Sequence, residues 1–169
     1  SDPASQSLEA WTTFLPHTLR PVTKLTYALE AEAGLTGAPA QRRIFSLVFL
    51  VLAAGLLCLL IARLEPRATP VGAVLLAAIW FLHPVQADNV LLLSGRTAMV
   101  SAVFLLAALL AMDRSRPWLA AVLFVLACLS REPALAGLLP LAVVAASRPG
   151  VSVRSATRQV APVLGGAAL

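Results

Sequence analysis

Along this chain charge disappears for long stretches and returns in short bursts. The first uncharged run, 44–62 (IFSLVFLVLAAGLLCLLIA), is 19 residues long. About 20 apolar residues cross roughly 30 Å of hydrocarbon, so the run predicts a membrane span over 44–63. A second run, 68–87, predicts a span over 69–83. Pro84 stops it, and Trp80 and His83 suit the interface. A third, 89–112, is interrupted only by Arg96. Two shorter runs follow, 117–130 and 134–147, each of 14 residues. Each spans only about 21 Å as a helix, and Arg131, Glu132 and Pro133 separate them. Proline disfavours α geometry in the residue before it and cannot donate a backbone hydrogen bond. The pattern therefore predicts a fourth/fifth helix broken at 130–133. A last run, 159–169, opens as another helix. The class that follows is all-α: a polytopic helical membrane protein.

Residues 1–43 are mixed in character and predict two amphipathic interfacial helices before the first span. One lies near 7–15, with Ser7 as a possible N-cap and Trp11, Phe14 and Leu15 as interfacial anchors. The other lies near 22–33, with Pro21 in its first turn and Gly34 and Gly37 ending it. Helical spacing puts Leu25, Ala28, Leu29 and Ala33 on one face of it, and Lys24, Glu30 and Glu32 on or towards the other. Three regions result: an external segment 1–43, a helical bundle 44–147, and a cytoplasmic loop with the start of a further helix at 148–169. There is no initiator Met and no signal peptide. The final run has no room to complete a helix, so the expected gene product is longer than this chain.

Composition narrows the class. Hydrophobic residues make up 59 % of the chain and charged residues 12 %, and mean hydropathy is +0.86. Soluble domains carry about 25 % charged residues, so a soluble enzyme, a disordered tail and a disulfide scaffold all fit poorly. The net charge of +5 comes from basic residues between apolar runs, which is a loop pattern and leaves no nucleic-acid footprint. With alternating helices, Arg63, Arg67, Arg114, Arg116, Arg148, Arg154 and Arg158 fall on one side. Arg20, Lys24, Arg42, Arg43, Arg96 and Arg131 fall on the other. The short loops 62–68 and 113–117 favour the first side as cytoplasmic, which puts 1–43 outside. Cys58 and Cys128 sit inside apolar runs and read as small packing residues, with no metal pair. P-loop, GxGxxG, HExxH and nucleophile-elbow motifs are absent.

Four polar spots stand out from the apolar background: Arg20-Pro21-Val22-Thr23, His83-Pro84-Val85-Gln86-Ala87-Asp88, Gly95-Arg96 and Leu129-Ser130-Arg131-Glu132. An ionisable residue at membrane depth costs a few kcal/mol and faces a cavity or a partner. Arg96, read as four to six residues inside its helix, either snorkels to the surface or faces such a partner. Arg131 and Glu132 either pair with each other or act separately. His83 reads as an interfacial residue, with metal ligation as the alternative.

The order and spacing of RPVT (20–23), HPVQAD (83–88), GR (95–96) and LSRE (129–132) resemble the membrane core of GT-C glycosyltransferases. The resemblance is to the tetratricopeptide-containing transmembrane O-mannosyltransferases and their bacterial relatives, and it covers about 20–147. It implies a polyprenyl-phosphate sugar as donor, with Arg96 and Arg131 facing the lipid phosphate. Asp88 would replace the family glutamate, and Arg20 would support the external loop, with His83 and Glu132 in supporting positions. Arg131 stands where the family has lysine, and Gln86 where it has histidine. The acidic pair that the family carries after an earlier membrane helix has no counterpart here, since only Asp2 and Glu9 precede Arg20. No catalytic residue is therefore assigned, nor any metal.

Two functions are expected on these grounds. The first is a non-catalytic integral membrane subunit with a truncated GT-C-like core, packed among other membrane subunits and lipids in a larger assembly such as a respiratory or photosynthetic complex. Small residues for helix packing support it: Ala53, Ala54 and Gly55; Gly72, Ala73, Ala77 and Ala78; Ala107 and Ala108. The second is the ordered part of a longer transferase using a polyprenyl-phosphate sugar. In both, the bacterial inner membrane is the expected location. If Asp88, Arg96 and Arg131 are to act together, they should converge at the outer end of the bundle, with Asp88 offsetting one arginine.

Overall fold

The computed structural model describes residues 20–34, 39–65, 67–91, 95–147 and Ala161. Among these the secondary structure is entirely helical. Helix α1 (Pro21–Glu32) is followed by α2 (Pro39–Leu64), α3 (Pro70–Phe81), α4 (Pro84–Leu91) and α5 (Arg96–Asp113). Helix α6 (Pro117–Ser130), a 3₁₀ segment (Glu132–Gly137) and α7 (Leu138–Ala146) complete the order. Among the described residues two helices are long and apolar enough to cross a membrane, Arg43–Leu64 and Arg96–Asp113, and the bent pair α3–α4 makes up to a third. The chain is an all-α helical membrane protein. The expected helix at 7–15 and the region 148–169 lie outside the described residues, Ala161 apart.

The packing is built from alanine. Ala53, Ala73, Ala77, Ala108, Ala120 and Ala127 are all buried, and small side chains let helix backbones approach where lipid supplies no hydrophobic drive. Gly55 departs from that expectation: it is exposed, and an added Cβ would meet nothing within 4 Å. Larger side chains fill the layer where α5, α6 and α7 meet, with Phe124, Met112 and Leu141 fully buried. The outer faces of α2 and α3 instead present Val51, Leu52, Leu75, Leu76 and Ile79 outwards, the arrangement of helices solvated by lipid tails.

Two span boundaries differ from the expectation. The run at 69–83 is not a single full span. It is the 12-residue α3, joined to α4 at a bend of 58°. Pro84 does end α3, but it also opens α4, and the His83 Nδ1 accepts the Val85 N–H at 3.3 Å. The histidine thus serves as a cap for the second helix. The third span starts at Arg96 rather than at 89. Arg96 is therefore the first residue of its helix and lies four to six residues nearer the helix end than the run length implied.

The break at 130–133 is present. Helix α6 stops at Ser130, Arg131 is extended (φ −159°, ψ 128°), and the chain continues as the 3₁₀ turn and α7. Two carbonyls at the end of α6 accept side-chain donors from other helices. Ala127 O accepts from the Arg131 N–H at 3.0 Å and from Ser101 Oγ at 3.2 Å. Ser130 O accepts from Thr23 Oγ1 at 3.4 Å. Backbone groups left over at a helix end require such partners.

At the start of α3, Thr69 Oγ1 accepts the Gly72 N–H at 3.1 Å, a side-chain N-cap. Thr69→Ala is expected to lower stability by about 1 kcal/mol, read as a drop in melting temperature of the detergent-solubilised protein.

Candidate functional site: the polar end of the bundle

The ion pairs fix which helix ends lie together. Arg63 at the end of α2 pairs with Asp113 at the end of α5 at 3.4 Å, so α2 and α5 run parallel. Helix α1 lies across the opposite end. Its start is tied to the end of α6, where the Arg20 Nε and Nη2 donate to Glu132 Oε1 and Oε2, each at 3.3 Å. Its end reaches the start of α5, where the Arg96 Nη1 donates to Glu30 Oε2.

The four polar spots are thus joined in two pairs at one end of the bundle. RPVT docks on LSRE through Arg20–Glu132 and Thr23–Ser130. Gly95 of the GR pair packs on the helix that HPVQAD begins. A Cβ built on Gly95 would stand 2.3 Å from Asn89 O and 2.4 Å from Asn89 Cα, so only glycine permits this approach. In the same helix the Asn89 amide donates to the buried Gln86 Oε1 at 3.1 Å.

Arg96 and Glu30 form the buried centre, with side chains 0 % and 1 % exposed. The guanidinium carbon lies 4.3 Å from the Tyr27 ring centroid and 5.9 Å from that of Phe45. An arginine over aromatic faces gains cation–π attraction, most of all when desolvated. This arrangement corrects two expectations. Arg96 does not snorkel, and its carboxylate partner is Glu30 rather than Asp88, which is exposed on α4. Helical spacing alone puts Glu30 on or towards the polar face of α1. Instead Thr23 and Glu30 are buried with Ala28, while Leu29 is 52 % exposed. The inward stripe is Thr23, Tyr27 and Glu30, spaced i, i+4, i+7. The physical reason is the solvent: Leu29 can meet lipid tails, whereas a carboxylate must meet a cation.

Arg131 and Glu132 do not pair with each other. Glu132 goes to Arg20, and Arg131 is exposed at the break. Hydrogen bonds from its own backbone and from Arg20, opposed by slight desolvation, hold the Glu132 carboxyl below the usual carboxylate range. A depressed folded-state value means that the stabilisation is present above the unfolded pKa and fades as pH falls through the folded one. The pair is solvent-exposed and screened, so the effect is small. Glu132→Gln should lower the melting temperature slightly at pH 7. The difference from the unsubstituted protein should vanish as pH falls below the ordinary glutamate range. Arg20 itself holds a left-handed backbone (φ 68°, ψ 57°) immediately before Pro21, a conformation costly for a residue with a Cβ and here tied down by its fork on Glu132.

Beside the polar end, α2, α3 and α4 enclose an open groove of about 370 Å³ whose walls include Leu50, Phe81, Leu82 and Val90, with His83 and Gln86 as its polar members. No group of three or more potential metal-ligating side chains occurs among the described residues. Asp88, Arg96 and Arg131 all belong to this end of the bundle, but they do not share one open site: Arg96 is enclosed, while Asp88 and Arg131 face outwards. Sequence reasoning missed Glu30. The signal was available in the need of Arg96 for a counter-charge and in the Thr23–Tyr27–Glu30 spacing. Comparison with family models, curated proteins and solved structures finds no match.

Proposed function

We propose that this chain is a non-catalytic integral membrane subunit with a GT-C-like core, packed among other membrane helices in a larger assembly of the bacterial inner membrane, with residues 1–43 on the external side. The observation that carries the reading is the enclosure of Arg96. Its charge is used on Glu30, Tyr27 and Phe45 within the chain, so it serves as an internal joint and has no opening to a sugar phosphate. The motif pairs around it do architectural work as well, tying α1 to α6 and α4 to α5. A respiratory or photosynthetic complex fits as host.

A second reading, part of a longer polyprenyl-phosphate-sugar-dependent glycosyltransferase, is favoured by the apolar groove beside His83 and by the exposure of Asp88 and Arg131 at the same end. Such a site would take the isoprenoid chain in the groove and the phosphate at Arg131, since guanidinium forks suit phosphate oxygens.

Purification from native membranes in mild detergent, with identification of co-migrating proteins, separates the two. The subunit reading expects integral membrane partners in fixed stoichiometry, and no sugar transfer from a polyprenyl-phosphate sugar. A chain that migrates without partners and transfers sugar, with the transfer lost in Arg131→Gln, overturns it.

A further inference from the structure

The opposite end of the bundle is built differently. There the α2–α3 and α5–α6 turns are brought side by side by the Arg63–Asp113 pair. Together they carry four arginines, Arg63, Arg67, Arg114 and Arg116, against two carboxylates, Glu65 and Asp113, among the described residues. Both carboxylates are already engaged. Asp113 holds Arg63, and Glu65 Oε1 accepts the Arg67 backbone N–H at 3.2 Å. Arg114 and Arg116 are exposed, and no carboxylate of the described residues reaches them.

The turn that carries these two is rigid by construction. The Ser115 N–H donates to Met112 O and the Arg116 N–H to Ala111 O, both at 3.0 Å, with Ser115 left-handed at φ 58°. This is a Schellman closure of α5, followed at once by Pro117 in the first turn of α6. Trp118, 75 % exposed, stands two residues beyond Arg116. Tryptophan is enriched at the membrane–water interface, so Trp118 is expected to set this turn, with the nearby Arg114 and Arg116 of the same sequence stretch, at headgroup level.

We propose that this end of the bundle binds the headgroup phosphate of an anionic phospholipid, with Arg114 and Arg116 as its main contacts and Arg67 in support. Arginines supply several donors to a phosphate. A juxtamembrane basic cluster gains from each cation near an anionic leaflet, and a fixed turn loses little freedom on binding. The site is distinct from the polar end around Arg96, and it does not depend on whether the chain is a subunit or an enzyme.

The test is native mass spectrometry of the full chain in mild detergent, titrated with phosphatidylglycerol or with phosphatidylcholine of the same acyl chains. The unsubstituted protein should retain phosphatidylglycerol in preference. The R114Q/R116Q variant should lose about thirtyfold in that affinity, and Lys24→Gln at the far end should lose none. Brominated phosphatidylglycerol should quench a tryptophan signal that is absent from Trp118→Phe. Equal retention of the two lipids, or undiminished phosphatidylglycerol binding by R114Q/R116Q, overturns the proposal. So does displacement of the lipid by inorganic phosphate at comparable concentration, which would mark a general anion site.

Discussion

Replacing Glu30 with Gln should destabilise the folded chain by about 3–5 kcal/mol, the usual consequence of removing one partner from a buried ion pair. The carboxylate and the Arg96 guanidinium are both enclosed, so the remaining charge cannot be solvated without moving α1. An arginine does not lose its proton in a protein. The neutral amide leaves the positive charge among Tyr27, Phe45 and the start of α5 without its carboxylate. Arg96→Met should also destabilise the fold, because it leaves Glu30 buried without its partner. The double variant E30Q/R96M should recover part of the loss, since no uncompensated charge then remains buried. Thermal unfolding of the four proteins in one detergent gives the cycle. A coupling energy near zero would mean that the pair is not the joint between α1 and α5. Proteolysis offers a second readout: in E30Q, cleavage within 33–43 should accelerate as α1 loosens.

The spans were legible because lipid imposes a length. The uncharged run at 44–62 becomes the core of α2, and the short runs at 117–130 and 134–147 become separate helices because Pro133 has no N–H with which to continue the α6 ladder and the chain extends at Arg131. The bend after α3 was half legible. Pro84 marks the stop, but the pattern of apolar residues runs on through Val85, Val90 and Leu91, and only the geometry shows that they belong to a second short helix. The site was legible as a set of four motifs and illegible as a set of contacts. Helical periodicity reads faces by the rule for water, with apolar side chains inwards. In a chain surrounded by lipid that rule weakens, because Leu29 gains nothing by turning inwards whereas Glu30 must find a cation. Asp88 was the carboxylate nearest to Arg96 in sequence, and Glu30, 66 positions away, is the one that meets it. Pairing across that separation follows from how α1 lies on the bundle, which hydropathy does not encode.

Gly95→Ala should cost about 3 kcal/mol, at the upper end of what overpacking usually costs, and the reason is the identity of what the new methyl would strike. Its Cβ would lie 2.3–2.6 Å from three backbone atoms of Asn89. Backbone cannot rotate away as a side chain can, so α4 must shift bodily from α5. That shift also disturbs the Gln86–Asn89 hydrogen bond and the groove wall. Two other glycines calibrate the effect. At Gly137 an added Cβ would meet Leu105 Cδ1 at 2.4 Å, the far end of a flexible side chain, so Gly137→Ala should be milder than Gly95→Ala. At Gly55, in the middle of α2, an added Cβ would meet nothing, and Gly55→Ala should be neutral or stabilising by about 0.5–1 kcal/mol through helix propensity. Melting temperatures of the three variants in one detergent should therefore rank Gly55→Ala highest, then Gly137→Ala, then Gly95→Ala. If Gly95→Ala unfolds no earlier than Gly137→Ala, α4 does not rest on the start of α5, and the GR pair owes its glycine to something other than this contact.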